Sequence, residues 1–505
     1  VTDENGEPLP GVNIMIVGTS SGTTTDFDGN YKLSVNENAE LKYSFIGYKT
    51  ITENVNGRST IDIQMVSDFE SLSEVVVVGY GSQKKSVASA AIATADVEAM
   101  EKLSVPNVGR SLQGLVNGVS VSGVSGQPGN NPTILIRGVG SNSNNRPLVV
   151  IDGLQTQVEN LNALSPSDIE SIQVLKDAAS TAIYGTRGAN GVIVVKTKSG
   201  KPGQMTLNYN GSYFIQSAWK TPQMLNAEQY VDIINEKYEN GNTNLPLGFP
   251  DRGTTPAIDT DWMDRLFTDG GIQNHNISLS KGTENGHLFA SMTYTGQEGI
   301  IAPEKSYFDR LTVRLNSETE VTDFIKFGQN LAVTATRSSA IPENNEFGTP
   351  IADAIVYDPL TPVFDNNAQF GFAQSPYVQK EYINPFSRIF INNSETASEQ
   401  IFGNAFLEIK PVSWLKLKTD LGVNRYSQIV DNYAPAYQLT PAFFNDNSLV
   451  GNQSYSNFRW QWENYATVTK DFRLHNVEAV LGSTAIRFTE KSFGASGQNL
   501  PIEAV

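Results

Sequence analysis

The sequence carries little of the chemistry that enzymes use. It has no cysteine and only three histidines, His275, His287 and His475, which excludes a thiolate zinc site and a cysteine nucleophile. No H-E-x-x-H metal motif occurs, and no G-x-S-x-G elbow pairs with a plausible His and acid. Paired carboxylates for glycoside hydrolysis need only proximity in space, and nothing in the sequence singles out a pair. We therefore predict a protein that is not an enzyme, with no catalytic residue, no cofactor and no assigned metal site.

Amide and hydroxyl side chains are more abundant. They cluster in two loop segments, SGQPGNNP at 125–132 and VGSNSNNRP at 139–147, where they can hydrogen-bond neutral groups without attracting ions. The candidate ligand contacts in these loops are Asn130, Asn131, Asn142, Asn144 and Asn145. Trp219 and Trp262, in a long loop further along the chain, are candidate contacts for a sugar. The alternative is that the two polar segments are only flexible loops.

Composition limits the classes of protein that can present these residues. The 505 residues suggest roughly three domains. With 36 Lys and Arg against 53 Asp and Glu, the formal net charge is −17. This leaves no basic surface for a phosphate backbone, so we expect no nucleic-acid partner. No window approaches the roughly 18 to 20 apolar residues of a membrane-spanning helix. A membrane β-barrel stays open, because its signal is alternation.

The N-terminal region predicts a small antiparallel β-sandwich. Short β-rich pieces between Val12 and Ile63 are separated by NG, DG and SG turn signals. The DFDG segment at 26–29 lacks the further oxygens and the closing Glu of a calcium loop, so we predict a turn. Beyond an acidic, serine-rich stretch, four valines at 75–78 form an isolated β-forming run. This run could pair with a sheet edge of another protein, and the alternative is an ordinary buried strand.

Residues from about Val87 to Ser199 predict a mixed α/β unit. Helical spacing occurs in DVEAMEKL and NVGRSLQGLV, and SPSDIESIQVLKD begins with a Ser/Asp helix start. The segments TILIRGV, RPLVVIDG and NGVIVVKTK predict strands.

From Gln204 onward the apolar residues alternate with polar ones. This period of two recurs in nine segments: 204–215, 276–280, 287–295, 309–317, 324–336, 404–411, 414–425, 457–470 and 475–486. Short turns at 281–286, 317–323, 410–413 and 470–473 alternate with long loops at 217–271, 298–307, 338–398 and 428–454. Alternating short and long connections are typical of an outer-membrane barrel, whereas a soluble sandwich keeps most connections short. The pattern favours the barrel.

One segment resembles a known family. The runs GVSVSGVSGQPGNNPTILIRGVGSNSNNRPLVVIDG and IESIQVLKDAASTAIYGTRGANGVIVV, between Gly118 and Val195, strongly resemble the plug domain of SusC/RagA-type TonB-dependent outer-membrane transporters. The N-terminal sandwich resembles the carboxypeptidase-regulatory-like extension of that family, and SLSEVVVVGYG sits where the family has its TonB box.

The resemblance implies a mainly β chain with four parts. These are a carboxypeptidase-regulatory-like sandwich at 1–66, a TonB-box linker at 67–82, an α/β plug domain at 83–202 and the N-terminal part of a transmembrane β-barrel with long extracellular loops at 203–505. The family's barrel has twenty-two strands, and nine segments supply fewer. Since an open edge in lipid leaves backbone groups unsatisfied, we expect the remaining strands to be missing from this sequence or to lie in another chain.

The resemblance also implies a function. It predicts active import of an oligosaccharide or peptide across the outer membrane of a Gram-negative bacterium of the Bacteroidetes, with the N-terminal domain in the periplasm. The implied partners are outer-membrane lipid, a SusD-like surface lipoprotein and the TonB–ExbB–ExbD complex. The expected TonB contacts are Glu74, Val75, Val76, Val77, Val78 and Gly79.

The role of the plug charges and the function of the whole protein each have two possible interpretations. Arg137, Glu170, Lys176, Asp177 and Arg187 would form a charge network that lets the plug shift under force. They could equally form a static network that fixes the plug fold. The alternative function is a non-transporting surface adhesin or assembly component, which would have no need of the valine run.

Overall fold

The computed structural model describes residues 1–4, 6–17, 19, 21–45, 48–66, 75–78, 81–84, 92–103, 107–123, 125–201, 203–283, 285–343, 345, 348–472 and 475–500. The chain divides into two compact units, Val1–Ala90 and Ala91–Val505. Within the described ranges, none of the helices has the length and apolar character needed to cross a membrane.

The first unit is built on a four-stranded antiparallel sheet with the order β2-β1-β3-β4. Its strands are β1 (Asn13–Ile16), β2 (Gly22–Thr24), β3 (Glu40–Ser44) and β4 (Ile51–Asn54). Ile14, Leu41 and Tyr43 alternate with exposed residues and are buried. They pack against extended chain around 31–35 and 61–65, so the second layer of the predicted sandwich lacks regular strands.

The DFDG segment is a turn, as predicted. Asp26 Oδ1 accepts hydrogen bonds from the backbone N–H groups of Asp28 (3.0 Å) and Asn30 (2.8 Å). Further along, the valine run forms β5 (Val75–Val78), which pairs antiparallel with β6 (Gly81–Lys84).

The first part of the second unit is the mixed α/β domain that the sequence predicts, and we call residues 92–201 the plug. A five-stranded sheet has the order β11-β10-β13-β12-β7, and β8 pairs separately with β9. The strands are β7 (Ile92–Thr94), β8 (Val119–Ser122), β9 (Thr133–Ile136), β10 (Leu148–Ile151), β11 (Leu154–Thr156), β12 (Ile169–Leu175) and β13 (Val192–Thr197). The helices are α1 (Val97–Lys102), α2 (Val108–Ser111) and α3 (Ala178–Thr181), with 3-10 turns at Val158–Ala163, Pro166–Asp168 and Ala182–Gly188.

The prediction that a helix starts at SPSD is wrong. After a single 3-10 turn the chain continues as β12, which lies between β13 and β7. Ile172, Val174 and Leu175 are fully buried there. A β-branched run covered on both faces has no polar face to present to solvent, so the central strand position overrides the Ser/Asp start signal.

The remainder of the second unit is a nine-stranded antiparallel sheet, which we call the wall. Its strands are paired in the order of the sequence. They are β14 (Gly203–Gln216), β15 (Gly270–Thr283), β16 (Gly286–Glu298), β17 (Tyr307–Thr322), β18 (Ile325–Ser339), β19 (Asn393–Val412), β20 (Leu415–Ala434), β23 (Leu449–Phe472) and β24 (His475–Gln498). Each of the nine predicted segments lies in one of these strands, apart from the first residue of 324–336 and of 414–425, so that prediction is confirmed.

The two faces of the wall differ in polarity. Along β17, Thr312 and Arg314 are each 2% exposed, whereas Leu311 and Val313 point away and are 38% and 47% exposed. Met292 and Val333, the partners of Val313 on the two neighbouring strands, are also exposed. The inner face is therefore polar and the outer face apolar, which is the pattern of strands with lipid on one side.

The predicted alternation of connections is also confirmed. Tight turns join β15 to β16, β17 to β18, β19 to β20 and β23 to β24, and the other connections are long. The long connections carry α4 (Ala227–Asn240), α5 (Trp262–Leu266), α6 (Pro350–Val356), α7 (Pro385–Phe390), the 3-10 turn Gln369–Gly371, and the short pair β21 (Tyr437–Gln438) and β22 (Phe444–Asn445). Helices α5, α6 and α7 share one apolar core, so the connections at 217–269 and 340–392 pack together.

Candidate functional site

A cavity of about 830 Å³ lies between the plug and the inner face of the wall. The plug lines it with residues near 107–110, 127–131 and 156–163, and the wall with residues on the halves of its strands next to the long connections. Most of the lining residues carry amide or hydroxyl groups, among them Gln127, Asn130, Asn131, Asn160, Asn424 and Tyr426. The cavity therefore offers many hydrogen-bonding groups to a polar ligand.

The plug loop at 125–131 is held in place by hydrogen bonds to the wall and its connections. Gln127 Nε2 donates to the carbonyl of Ile341 (2.6 Å), and its Oε1 accepts from Ser306 Oγ (3.1 Å). The backbone N–H of Gly129 donates to Gln297 Oε1 (3.1 Å). These bonds fix the loop that presents two of the predicted asparagines to the cavity.

Gly129 is required by the close approach of plug and wall. Its φ is +69°, and a Cβ at this position would lie 2.1 Å from Phe308 Cδ2. A side chain here would meet both a disfavoured backbone conformation and an aromatic ring.

A second set of amides joins the plug to the wall. Gln400 Nε2 donates to Asn160 Oδ1 (2.8 Å) on the plug and to Asn424 Oδ1 (2.9 Å) on the next strand. The backbone N–H of Gln155 donates to Gln461 Oε1 (3.4 Å). These hydrogen bonds fix the position of the plug against the wall, and Phe402 of β19 adds an apolar contact with the plug core.

A buried ion cluster lies deeper, between the plug and β17. The Arg314 guanidinium is 3.8 Å from a carboxylate oxygen of Asp152 and 3.8 Å from one of Asp168, and its side chain is 2% exposed. Asn276 Nδ2 also donates to Asp168 Oδ1 (3.3 Å). Burial raises the pKa of Asp168, and the nearby Arg314 charge acts in the opposite direction. These charges stay paired because an isolated one would be costly at this depth.

Four of the five plug charges predicted as a network have separate partners, and the fifth, Arg137, is exposed. Glu170 forms a salt bridge with Lys196 (2.9 Å), and Lys176 Nζ donates to the carbonyl of Asn117 (2.8 Å). Arg137 is exposed, with a φ of +57°.

The other two predicted charges also act locally. Asp177 caps α3 by accepting from the backbone N–H of Ser180 (2.8 Å). Arg187 donates to Gln155 Oε1 (2.8 Å), and it is the member of the set that lines the cavity.

The predicted ligand contacts fall in three kinds of place. Asn130 and Asn131 line the cavity. Asn142, Asn144 and Asn145 lie in the exposed loop at 140–146, where Asn145 Oδ1 accepts from the backbone N–H groups of 140 and 141. Trp219 is 96% exposed, and Trp262 is 2% exposed inside the core of the long connections.

Comparison with known proteins matches the N-terminal sandwich and the plug to two domain families. Residues 84–192 match the TonB-dependent Receptor Plug Domain family, and residues 1–78 match the CarboxypepD_reg-like domain family. TonB-dependent receptor SusC of Bacteroides thetaiotaomicron is 30% identical over 526 residues, which cover 98% of this chain and 50% of that protein. TonB-dependent receptor P3 of Formosa agariphila is 31% identical over 493 residues, covering 95% of this chain and 47% of that protein.

The resemblance to SusC/RagA-type TonB-dependent receptors is confirmed. The solved structure of the RagAB peptide importer in its open-open state has a TM-score of 0.73 and 26% identity, over 85% of this chain and 51% of that one. The closed-closed state has a TM-score of 0.71. The chain spans about half the length of the curated relatives it matches. The mainly β fold, with a plug and an incomplete barrel, is thereby confirmed.

The resemblance to this family is consistent with the polarity of the two faces of the wall. These receptors are outer-membrane proteins of Bacteroidetes, and the apolar outer face of the wall agrees with that location. The named relatives are receptors and importers, not enzymes.

The predicted TonB contacts are described only in part. Glu74 and Gly79 lie outside the described residues, as does the leader at 67–73. The four valines between them form β5, one edge of which is occupied by β6.

Several residues of the site were missed by the sequence reasoning. They are charged groups at inward positions of the wall or at strand ends of the plug: Asp152, Asp168, Arg310, Arg314 and Arg459. Arg310 and Arg314 stand two and six residues after Phe308, on the same face of β17, and the residues between them on the other face, Leu311 and Val313, are apolar. These arginines could have been found from the sequence, because each is a charged residue at a position on the polar face of an alternating strand.

Proposed function

We propose that the protein acts in TonB-dependent import of an oligosaccharide or peptide across the outer membrane, together with a SusD-like surface lipoprotein. The observation that carries this proposal is the amide-lined cavity between the plug and the wall, next to the long connections. A ligand held there would contact both the part that blocks the barrel and the part that forms its wall. The solved relative is a peptide importer in complex form, RagAB, which supports the partner and the ligand class.

The contacts between plug and wall support movement of the plug. Among those described are amide pairs such as Gln400 with Asn160 and Gln461 with Gln155. Water can take over hydrogen bonds of this kind when they break, so a pull on the plug would separate mainly polar contacts, together with the apolar contact at Phe402. We propose that this pull comes from the TonB–ExbB–ExbD complex and reaches the plug through residues 74–79.

We propose a domain organisation in which each part of the chain has one of these roles. Residues 1–66 form the periplasmic extension, 67–82 the linker with the TonB box, 83–202 the plug and 203–505 the part of the barrel present in this chain. Asn130 and Asn131 are proposed ligand contacts, because both line the cavity. For Asn142, Asn144, Asn145 and Trp219, which are exposed or lie in the exposed loop, the proposal is contact with an arriving ligand.

A substitution in the valine run tests the proposal. Strand addition depends on backbone N–H groups, and proline removes one while fixing φ. Val77→Pro should lower binding of the periplasmic domain of TonB at least tenfold and abolish energised uptake, as should deletion of residues 75–78. Val77→Ala, which keeps the backbone N–H, should leave both close to normal. Binding is measured by titration, and uptake as the protonophore-sensitive import of labelled trisaccharides and tripeptides.

Two results would contradict the proposal. Full uptake by the Val77→Pro variant would separate transport from the valine run. Surface binding of the labelled oligomers without any protonophore-sensitive import by the unaltered protein would favour the adhesin or assembly role instead.

A further inference from the structure

A buried arginine without a partner lines the cavity. Arg459 on β23 is 9% exposed, and its Nε and one terminal nitrogen are buried without a hydrogen-bond partner. It lies opposite Asn424 and Phe488 on the neighbouring strands, and both also line the cavity. A guanidinium withdrawn from water is costly unless an acceptor replaces the lost hydration.

A second arginine increases this cost. Arg187 on the plug lines the same cavity and donates to Gln155 Oε1 (2.8 Å). Because both groups are positively charged, Arg187 cannot serve as the counter-charge of Arg459. Arg187 is exposed as a whole residue, and partial burial of its guanidinium lowers its pKa. Plug and wall thus each contribute a positive charge to the lining of one cavity.

The carboxylates in the cavity lining are engaged elsewhere. Glu159 forms a salt bridge with Arg146. Glu343 accepts a hydrogen bond from Ser125 Oγ (2.7 Å). Neither is a partner of Arg459, whose side chain makes no hydrogen bond or salt bridge to the part of the chain that the structure describes. The positive charge of the pair is left for a ligand to neutralise.

We propose that Arg459 and Arg187 form a binding site for an oxyanion, a carboxylate or sulfate group, on the imported ligand. This inference rests on the proposed import function and narrows its ligand to acidic oligomers. A guanidinium presents a planar fork of N–H donors that matches a carboxylate or sulfate in two parallel hydrogen bonds. The neighbouring amides, Asn424 and Asn457, are then placed to bind neutral polar groups beside the anion.

The first test locates the anion directly. Crystals of the purified protein are soaked in sodium selenate, whose selenium gives an anomalous signal. We expect a peak at Arg459 in the unaltered protein and in Arg425→Gln, and no peak in Arg459→Gln. Arg425 is the matched control because it is exposed and stands between the cavity residues Asn424 and Tyr426, on the opposite face of β20. Absence of the peak in the unaltered protein would overturn the inference.

The second test identifies the source of the oxyanion. Trigalacturonate, triglutamate, a sulfated trisaccharide and neutral maltotriose are titrated separately, and each is tested for displacement of selenate. At least one acidic trimer should bind more tightly than maltotriose and displace the ion. Arg459→Gln should weaken that acidic trimer roughly ten- to hundred-fold, the range for hydrogen bonds to a charged group, and leave maltotriose unchanged.

The remaining outcomes each decide the matter. Arg459→Lys should retain part of the preference for the acidic trimer, because it keeps the charge and loses the fork. Arg187→Gln, at an exposed plug position, gives a second variant should Arg459→Gln fail to fold. A selenate peak that no acidic trimer displaces would mean an adventitious ion only and would overturn the inference. If uptake depends on Val77 but the protein shows no selenate site, the oxyanion site is ruled out and the import function stands. If the selenate site is present but no such uptake occurs, only the import function is ruled out.

Discussion

At the scale of single residues, Gly129 shows how closely the plug meets the wall. An alanine there would have to adopt a φ of +69° and would place its Cβ 2.1 Å from the ring of Phe308. We expect Gly129→Ala to cost about 1–3 kcal/mol and to release the loop at 125–131 from the wall. Hydrogen exchange of that loop should rise, and ligand binding in the cavity should weaken.

A matched control lies three residues away. Gly126 is in the same loop, and a Cβ added to it would meet nothing within 4 Å. Gly126→Ala should therefore leave exchange unchanged, and equal effects of the two substitutions would contradict the role of close contact. Phe308→Ala combined with Gly129→Ala should recover part of the loss by removing the ring, with the backbone strain remaining.

At the scale of elements, the alternating pattern made the wall predictable. Within each strand, polar and apolar residues alternate and so distinguish its two faces. The nine segments could therefore be predicted from local sequence alone. The strand β12 could not, because its two-sided burial depends on β13 and β7, which come from distant parts of the chain. The loop asparagines at 130 and 131 were chosen by type and line the cavity. Arg459 could not be predicted, because its lack of a hydrogen-bond partner becomes visible only when plug and wall are folded together.

The outer face of β17 supports a prediction about insertion into the membrane. Val313 is 47% exposed in a stripe with Met292 and Val333. Val313→Arg should cost about 2–4 kcal/mol, the value for a cation at the midplane of a membrane barrel. Thr319→Arg is on the same face near the tight turn and should cost about 0–1 kcal/mol. Heat-modifiable gel mobility measures the folded fraction, and equal losses for both variants would argue against a lipid-facing stripe.

At the scale of the whole second unit, two long connections pack against each other through one apolar core. The connection at 217–269 contributes Trp262, and the connection at 340–392 contributes Tyr357 and Asp358. The two rings meet edge to face with centroids 5.0 Å apart, and the indole N–H donates to the carbonyl of Asp358 (2.8 Å). The partners are about a hundred residues apart in the chain, so the sequence pointed to Trp262 as an aromatic ligand contact and gave no sign of this packing.

Removing this tryptophan should therefore loosen both connections together. Trp262 is 2% exposed, and Trp262→Ala should destabilise the shared core by about 3–5 kcal/mol, as for other buried aromatics. Hydrogen exchange followed by mass spectrometry should show faster exchange in 217–269 and in 340–392 at once. Trp219→Ala is the control, because Trp219 is 96% exposed in the first connection and should change neither. Faster exchange confined to 217–269 would mean that the two connections are stabilised independently and that the shared core does not couple them.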